Sequence, residues 1–318
     1  MKTIKQNVPL RNYSNYKIGG EATYFLEVTS REELILGIKE WRDISRNFSD
    51  EKKKIFVLSG GSNVLIDDRG IDGLVIHDNI TTIERNGEQV TSGSGLKIED
   101  FLNFCIANSL SGLEWAGGLP GTIGGAVRGN AGAFGGETKN SILEVRSINL
   151  ETLEETTRNN KDCRFDYRTS IFKQEAFNEF ILSVVFKLTL GKREDIEREV
   201  YEKINYRKVN HPLDLPSIGS TFKNIPFDKL SAEQQVEFKD FIKNDPFPVL
   251  PVAKLLHLAN LKGQRVGDAQ VSEKHPNFIV NLGNSTAKDV KELIVFIKKT
   301  IMEKFKVALE EEIVYFPR

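Results

Sequence analysis

Apolar residues in this chain recur at two kinds of spacing. In "GLKIEDFLNFCIANSL" (95–110) they fall at Ile98, Phe101, Leu102, Cys105 and Ile106, three and four apart, which predicts an amphipathic helix. "STAKDVKELIVFIKKTIMEKF" repeats that spacing at Val290, Leu293, Ile294, Ile297, Ile301 and Phe305 and predicts a longer one. "SREELILGIKEWRD" predicts another, with Ser30 and Glu33 at capping-box spacing. Short apolar runs predict strands: "YFLEV" (24–28), "KIFVLSG" (54–60), "VLIDD" (64–68), "GLVIH" (73–77), "ILEVRSINL" (142–150) and "FILSVVFKLTL" (180–190). After Gly191 the pattern turns charged and helical in "KREDIEREVYEKINYRKV", with Ile196, Val200 and Ile204 four apart. A domain boundary is placed there. Helices and strands interleave throughout, which gives an α+β or α/β chain.

Charge and composition narrow the chemistry. Lys and Arg total 44 against 45 Asp and Glu, a net charge of −1, so no global field draws the chain to nucleic acid or an anionic membrane. No apolar run approaches the ~20 residues of a membrane span. "MKTIKQNVPLRNYS" lacks the apolar core of a signal peptide, and a cytoplasmic protein is expected. Cys105 and Cys163 make neither a disulfide framework nor a metal cluster. Cys105 reads as core. His77, His211, His257 and His275 show no ligand spacing, so no metal is expected; His257, among apolar residues, reads as a packed helix histidine.

The stretch "GGLPGTIGGAVRGNAGAFGGE" (117–137) carries nine of the chain's 25 glycines. Glycine inside an element costs roughly 0.5–1 kcal/mol relative to alanine, so backbone without side chains must be required there. Bare amides form anion-binding concavities. Pro120-Gly121 makes a turn, Thr122 can cap a short helix from Ile123, and Gly124 and Gly125 clear the face of that helix; a dinucleotide pyrophosphate would fit. "LSGGSNVLI" (58–66) offers a second bare loop, although two strands joined through Gly-Gly-Ser-Asn also describe a hairpin. Neither segment is a Rossmann fingerprint or a Walker A loop.

Six stretches then occur in order: "NYSNYKIGGEATYF", "VLSGGSNVLI", "GLPGTIGGAVRGNAGAFGGE", "CRFDYRTSIFK", "PSIGSTFKN" and "VSEKHPNFIVNLGNSTAKDV". Together, from about Asn12 to about Val314, they resemble the UDP-N-acetylenolpyruvoylglucosamine reductase family. The resemblance implies an α+β fold: a two-part FAD-binding domain of the vanillyl-alcohol-oxidase type over 1–190 (parts about 1–78 and 79–190) and a C-terminal α+β substrate-binding domain over 191–318. It also implies a monomer with non-covalent FAD, NADPH as co-substrate and a UDP-sugar substrate, in peptidoglycan precursor synthesis. Gly60, Gly61, Ser62, Asn63 and Val64, with Gly121, Thr122, Gly124, Gly125, Asn130 and Ala131, match its FAD loops. Arg168 matches its active-site arginine, Ser220 its proton donor, Lys223 and Asn224 a substrate-binding loop, and Glu312 its glutamate; Glu310 and Glu311 stand beside the last. Departures from the family pattern fall at Asn15, Ile225 and Val314. The 52 positions from Arg168 to Ser220 suit the shorter class, without an extra tyrosine-bearing loop.

Those residue types suit the implied reaction. Hydride addition to an enolpyruvyl double bond leaves negative charge beside the substrate carboxylate. A guanidinium offers a planar, permanently charged fork to that group, a serine can protonate a strongly basic carbanion, and a protonated carboxyl can polarise the acid. Other readings are an FAD-dependent oxidoreductase of the same fold acting on an alcohol or amine, which has no need of "GSTFKN" or the glutamate, and a non-catalytic nucleotide sensor.

Overall fold

The structure, a computed structural model, is described over residues 3–317. Its chain forms two compact units that are not contiguous in sequence. The first gathers Ala22–Gly60 and Ile71–Asn205 with the stretch ahead of Pro9; the second gathers Pro9–Glu21, Gly61–Gly70 and the chain from Tyr206. This differs from the division expected at 191, for a packing reason. Ile196 and Val200 are buried in the first unit's core, so the break falls later. Tyr16, Ile18 and Leu65 are buried in the second unit's core and bring their N-terminal segments with them.

In the first unit, one sheet runs Lys5–Pro9, Glu21–Val28, Ile71–Asp78, Ile55–Leu58. Glu21–Val28 and Ile55–Leu58 are both parallel to the central Ile71–Asp78, whose near-continuous apolar run suits a strand covered on both faces. Helix α1 (Arg31–Ile44) buries Leu34, Ile38 and Trp41 in the same core. Ser30 caps it by accepting the Glu33 amide at 3.2 Å, while the Glu33 carboxylate turns to the Thr29 amide at 2.8 Å and not to Ser30. A second, antiparallel sheet runs Glu155–Asn159, Ile142–Asn149, Glu179–Lys187, Gln89–Gly93, Ile83–Asn86. Helices α2 (Ile98–Ala107) and α3 (Ile123–Gly129) contribute to its core, α2 through all five of its predicted apolar positions. Helix α4 (Arg193–Asn210) carries the chain into the second unit.

The second unit is built on α7 (Ala287–Phe305), whose Val290, Leu293, Ile294, Ile297 and Ile301 are buried as their spacing predicts. A full capping box starts it: Thr286 accepts the Asp289 amide, and the Asp289 carboxylate accepts that of Thr286. Two short helices, α5 (Ala232–Phe238) and α6 (Val252–Leu258), and small antiparallel sheets complete the unit. His257 of α6 is exposed, contrary to its reading as packed, because Val252, Leu255 and Leu256 define the buried face. Val64–Ile66 pairs in parallel with Val314–Phe316, 250 positions later (64 to 314). The "SGGSN" segment is therefore no hairpin: the strands on its two sides each pair with other strands. Among the described residues, no helix is long and apolar enough to cross a membrane, and no group of His, Cys, Asp and Glu could hold a metal ion.

Candidate active site

The glycine segment of the first unit is a turn feeding a capped helix, as the sequence suggests. Thr122 Oγ1 accepts the Gly125 amide at 3.4 Å, and Asn130 closes α3 in the left-handed conformation. Gly60 lies directly against Gly121: a Cβ on Gly60 would stand 2.8 Å from the Gly121 Cα, so any larger residue would push the two segments apart. Among the described residues, the amides of Gly60, Gly121 and Thr122 donate to no protein acceptor. Buried or half-buried amides are almost always paired, so these three fit an anionic group such as the pyrophosphate of FAD. Gly125 meets only Thr122 Oγ1, at 3.4 Å from a hypothetical Cβ, and keeps open space. Gly124 faces the chain itself, 2.9 Å from the Ser94 Cβ by the same measure. The Ala131 amide is bonded to the Ala126 carbonyl at 2.8 Å.

Arg168 belongs to this unit. It sits in a tight turn in which Asp166 and Thr169 exchange two backbone hydrogen bonds of 3.1 Å. Its φ of 56° is left-handed, uncommon for a residue other than glycine, asparagine or aspartate. Its Nη2 donates to the Gly132 carbonyl at 2.7 Å, and its guanidinium carbon lies 5.3 Å from the Tyr167 ring centre. Ser170, fully buried, ties the turn to the end of α3 by donating to the Arg128 carbonyl at 2.8 Å.

The second unit brings Ser220, Lys223, Asn224 and Glu312 together. The segment 220–223 lies between two others. On one side Ser220 bridges Phe278, and the Thr221 amide donates to the Asn277 carbonyl at 2.7 Å. On the other, the Glu312 amide donates to the Thr221 carbonyl at 2.8 Å and the Lys223 amide to that of Glu310 at 2.9 Å. The Lys223 ammonium contacts the Glu310 carboxylate. Asn224 accepts the Val252 amide with its Oδ1, which supports the start of α6. Asn63 donates from Nδ2 to the Glu312 carbonyl at 3.1 Å, and its own carbonyl accepts the Val314 amide at 3.0 Å. The second glycine loop thus holds the glutamate segment in place, and Val314, one of the departures, joins it through its backbone amide. Among the described residues, the Gly61 and Ser62 amides also donate to no protein acceptor.

Residues 37–152 match the family model described as FAD binding domain, and residues 211–316 that of UDP-N-acetylenolpyruvoylglucosamine reductase, C-terminal domain. The chain is 36% identical over 311 residues to the UDP-N-acetylenolpyruvoylglucosamine reductase of Listeria monocytogenes serotype 4a (strain HCC23), covering 98% of this chain and 94% of that one. It is also 36% identical to the protein so named in Lachnoclostridium phytofermentans, covering 96% and 91%. The chain belongs to the UDP-N-acetylenolpyruvoylglucosamine reductase family. The crystal structure of the Thermus caldophilus reductase superposes on 99% of this chain and 100% of its own, with a TM-score of 0.74 at 29% identity. The expected α+β class, an FAD-binding domain followed by the reductase family's C-terminal domain, is therefore met, and the chain is an FAD-binding oxidoreductase.

Some buried residues of this reductase-family chain were assigned no role in the sequence. Tyr16 is buried and donates to the Ile279 carbonyl at 2.9 Å, joining "NYSNY" to "FIVN"; burial pushes its hydroxyl pKa upward. Asp78 is 5% exposed. It accepts the Ile80 amide at 3.2 Å and lies 3.5 Å from Ser59 Oγ, which in turn lies 2.6 Å from Thr122 Oγ1. Burial pushes the Asp78 carboxyl up to about 6 from an ordinary 3.8. Below about pH 4 folded and unfolded chains are both protonated here. Between about pH 4 and 6 the unfolded chain releases its proton first, so stability falls as pH rises, by ~3 kcal/mol in all. Asp78→Asn is therefore expected to melt roughly 4–5 °C above the parent apoprotein at pH 8, with the difference fading toward pH 4. Scanning calorimetry across that range checks it; a lower melting point at pH 8 refutes it.

Proposed function

We propose that this chain catalyses the NADPH-dependent reduction of UDP-N-acetylglucosamine enolpyruvate to UDP-N-acetylmuramate, in the cytoplasm. FAD would be held through Gly60, Gly121, Thr122, Gly125 and Ala131 of the first unit; Gly61, Ser62, Asn63 and Val64 of the second unit match loops for the same coenzyme. The second unit would bind the UDP-sugar, with Lys223 and Asn224 among its contacts. Bound there, FAD would supply the hydride-carrying redox chemistry that links NADPH oxidation to reduction of the enolpyruvyl group. Arg168 holds the substrate carboxylate and takes up the charge that develops beside it. Ser220 supplies the proton that completes the new C–H bond. Glu312 polarises the substrate's acid group.

The observation that carries this reading is the Glu312 amide bonded to the Thr221 carbonyl at 2.8 Å. It puts the hydroxyl-bearing and carboxyl-bearing segments side by side within the domain that the reductase family shares. A flavin oxidase of similar fold has no use for that pairing. Purified protein is expected to carry a flavin absorption band and to oxidise NADPH only when the enolpyruvyl sugar nucleotide is added. NADPH oxidation that proceeds equally with oxygen alone favours the oxidase, and a protein that stays colourless after FAD reconstitution removes both.

A further inference from the structure

We infer that Asn130 and Glu137 are positioning residues for Arg168, acting from the far side of its turn. Asn130 is wholly buried and Glu137 is 5% exposed. Buried polar groups need partners, and the partners here converge on one place. Asn130 Nδ2 donates both to Glu137 Oε1, at 2.8 Å, and to the Asp166 carbonyl, at 3.0 Å. Its Oδ1 accepts the Lys139 amide at 3.1 Å. The other Glu137 oxygen lies 2.8 Å from Lys139 Nζ, which balances the buried charge, and Asn140 Oδ1 accepts the Glu137 amide at 2.9 Å. Asp166 opens the turn in which Arg168 takes its left-handed φ of 56°.

The side chain of Arg168 is held from the same hairpin. Gly132–Ala133 pairs with Gly136–Glu137, so the Gly132 carbonyl that receives Nη2 at 2.7 Å is fixed relative to Glu137. A Cβ on Gly132 would stand 3.0 Å from Glu137 Cγ and 3.1 Å from Arg168 Nη1. The missing side chain is what lets the guanidinium lie along the hairpin. Asn130 thus grips the backbone of the turn while the hairpin that Glu137 closes grips the guanidinium. A long, rotamer-rich side chain is ordered before substrate arrives. The side-chain hydrogen bonds of Asn130 go to Glu137, the Asp166 carbonyl and the Lys139 amide, all at this turn and its hairpin.

The inference rests on the role proposed for Arg168 and is tested in the FAD-loaded enzyme by Asn130→Gly, which keeps the left-handed backbone and deletes the amide. Reoxidation of the reduced enzyme by UDP-N-acetylglucosamine enolpyruvate is expected to slow roughly 10–100-fold. Reduction by NADPH, and the FAD dissociation constant of the apoprotein, should each stay within about threefold. In an Arg168→Ala background the same change should add no more than about twofold. Glu137→Gln, which keeps the shape and the Oε1 acceptor, should shift the same step in the same direction and serves if Asn130→Gly does not fold. Multiplicative effects with Arg168→Ala, equal loss in both half-reactions, or weakened FAD binding would overturn the positioning role alone. Arg168→Ala reoxidising at the parent rate would overturn the reading of Arg168, and this inference with it.

Discussion

Ser220→Ala should reoxidise with the enolpyruvyl sugar nucleotide roughly 10²–10⁴-fold more slowly than the parent, the span a positioned proton donor contributes. Its reduction by NADPH should remain within about twofold, because no proton is delivered to carbon in that half-reaction. Ser220 is held from its backbone, through the bridge to Phe278 and the Thr221 bonds on both sides, so losing the hydroxyl should leave the segment in place. The melting temperature should accordingly barely move. Stopped-flow traces of flavin absorbance resolve the two steps. Equal slowing of both would remove Ser220 as the proton donor.

Glu312→Gln keeps the volume and the backbone bonds to Thr221 and Asn63 but removes the acid. A loss of roughly 10²–10³-fold in the same reoxidation step is expected, as for removal of a preorganised polar group at developing charge. FAD affinity should be unchanged. Its neighbour provides a control of a different kind. Glu311 accepts from Lys298 at 2.8 Å and from the Tyr315 hydroxyl at 2.5 Å, a link between α7 and Val314–Phe316. Glu311→Gln should therefore lower the melting temperature with little change in turnover. Activity lost at Glu311 and kept at Glu312 would reassign the glutamate.

Much of this was legible in the chain, for identifiable reasons. Helices with one apolar stripe announced themselves: α2 buries every position its spacing marks, and α7 all but the half-buried Phe305. The edge strands Glu155–Asn159 and Ile83–Asn86 did not, because strands paired on a single side need few apolar residues. The boundary at Gly191 followed composition, whereas burial of Ile196 and Val200 decided the packing. Glycine density marked the flavin cradle yet could not separate its two causes. Gly60 and Gly121 lie beside unbonded amides, while Gly124 and Gly136 make room for Ser94 and Trp115. Asp78 lies outside every quoted motif, and Glu137, although it ends the glycine stretch, was given no role there; such an acid shows its importance only once its burial is known.

The pairing of Val64–Ile66 with Val314–Phe316 bears on how the polypeptide is made. Synthesis runs from the N-terminus, so Val64–Ile66 emerges early and has no strand to bind until residue 316 has been added. Until then the nascent chain carries an unpaired strand edge, its backbone N–H and C=O groups unsatisfied, next to Gly61 and Ser62. Acquisition of the coenzyme should accordingly trail synthesis of Val314–Phe316.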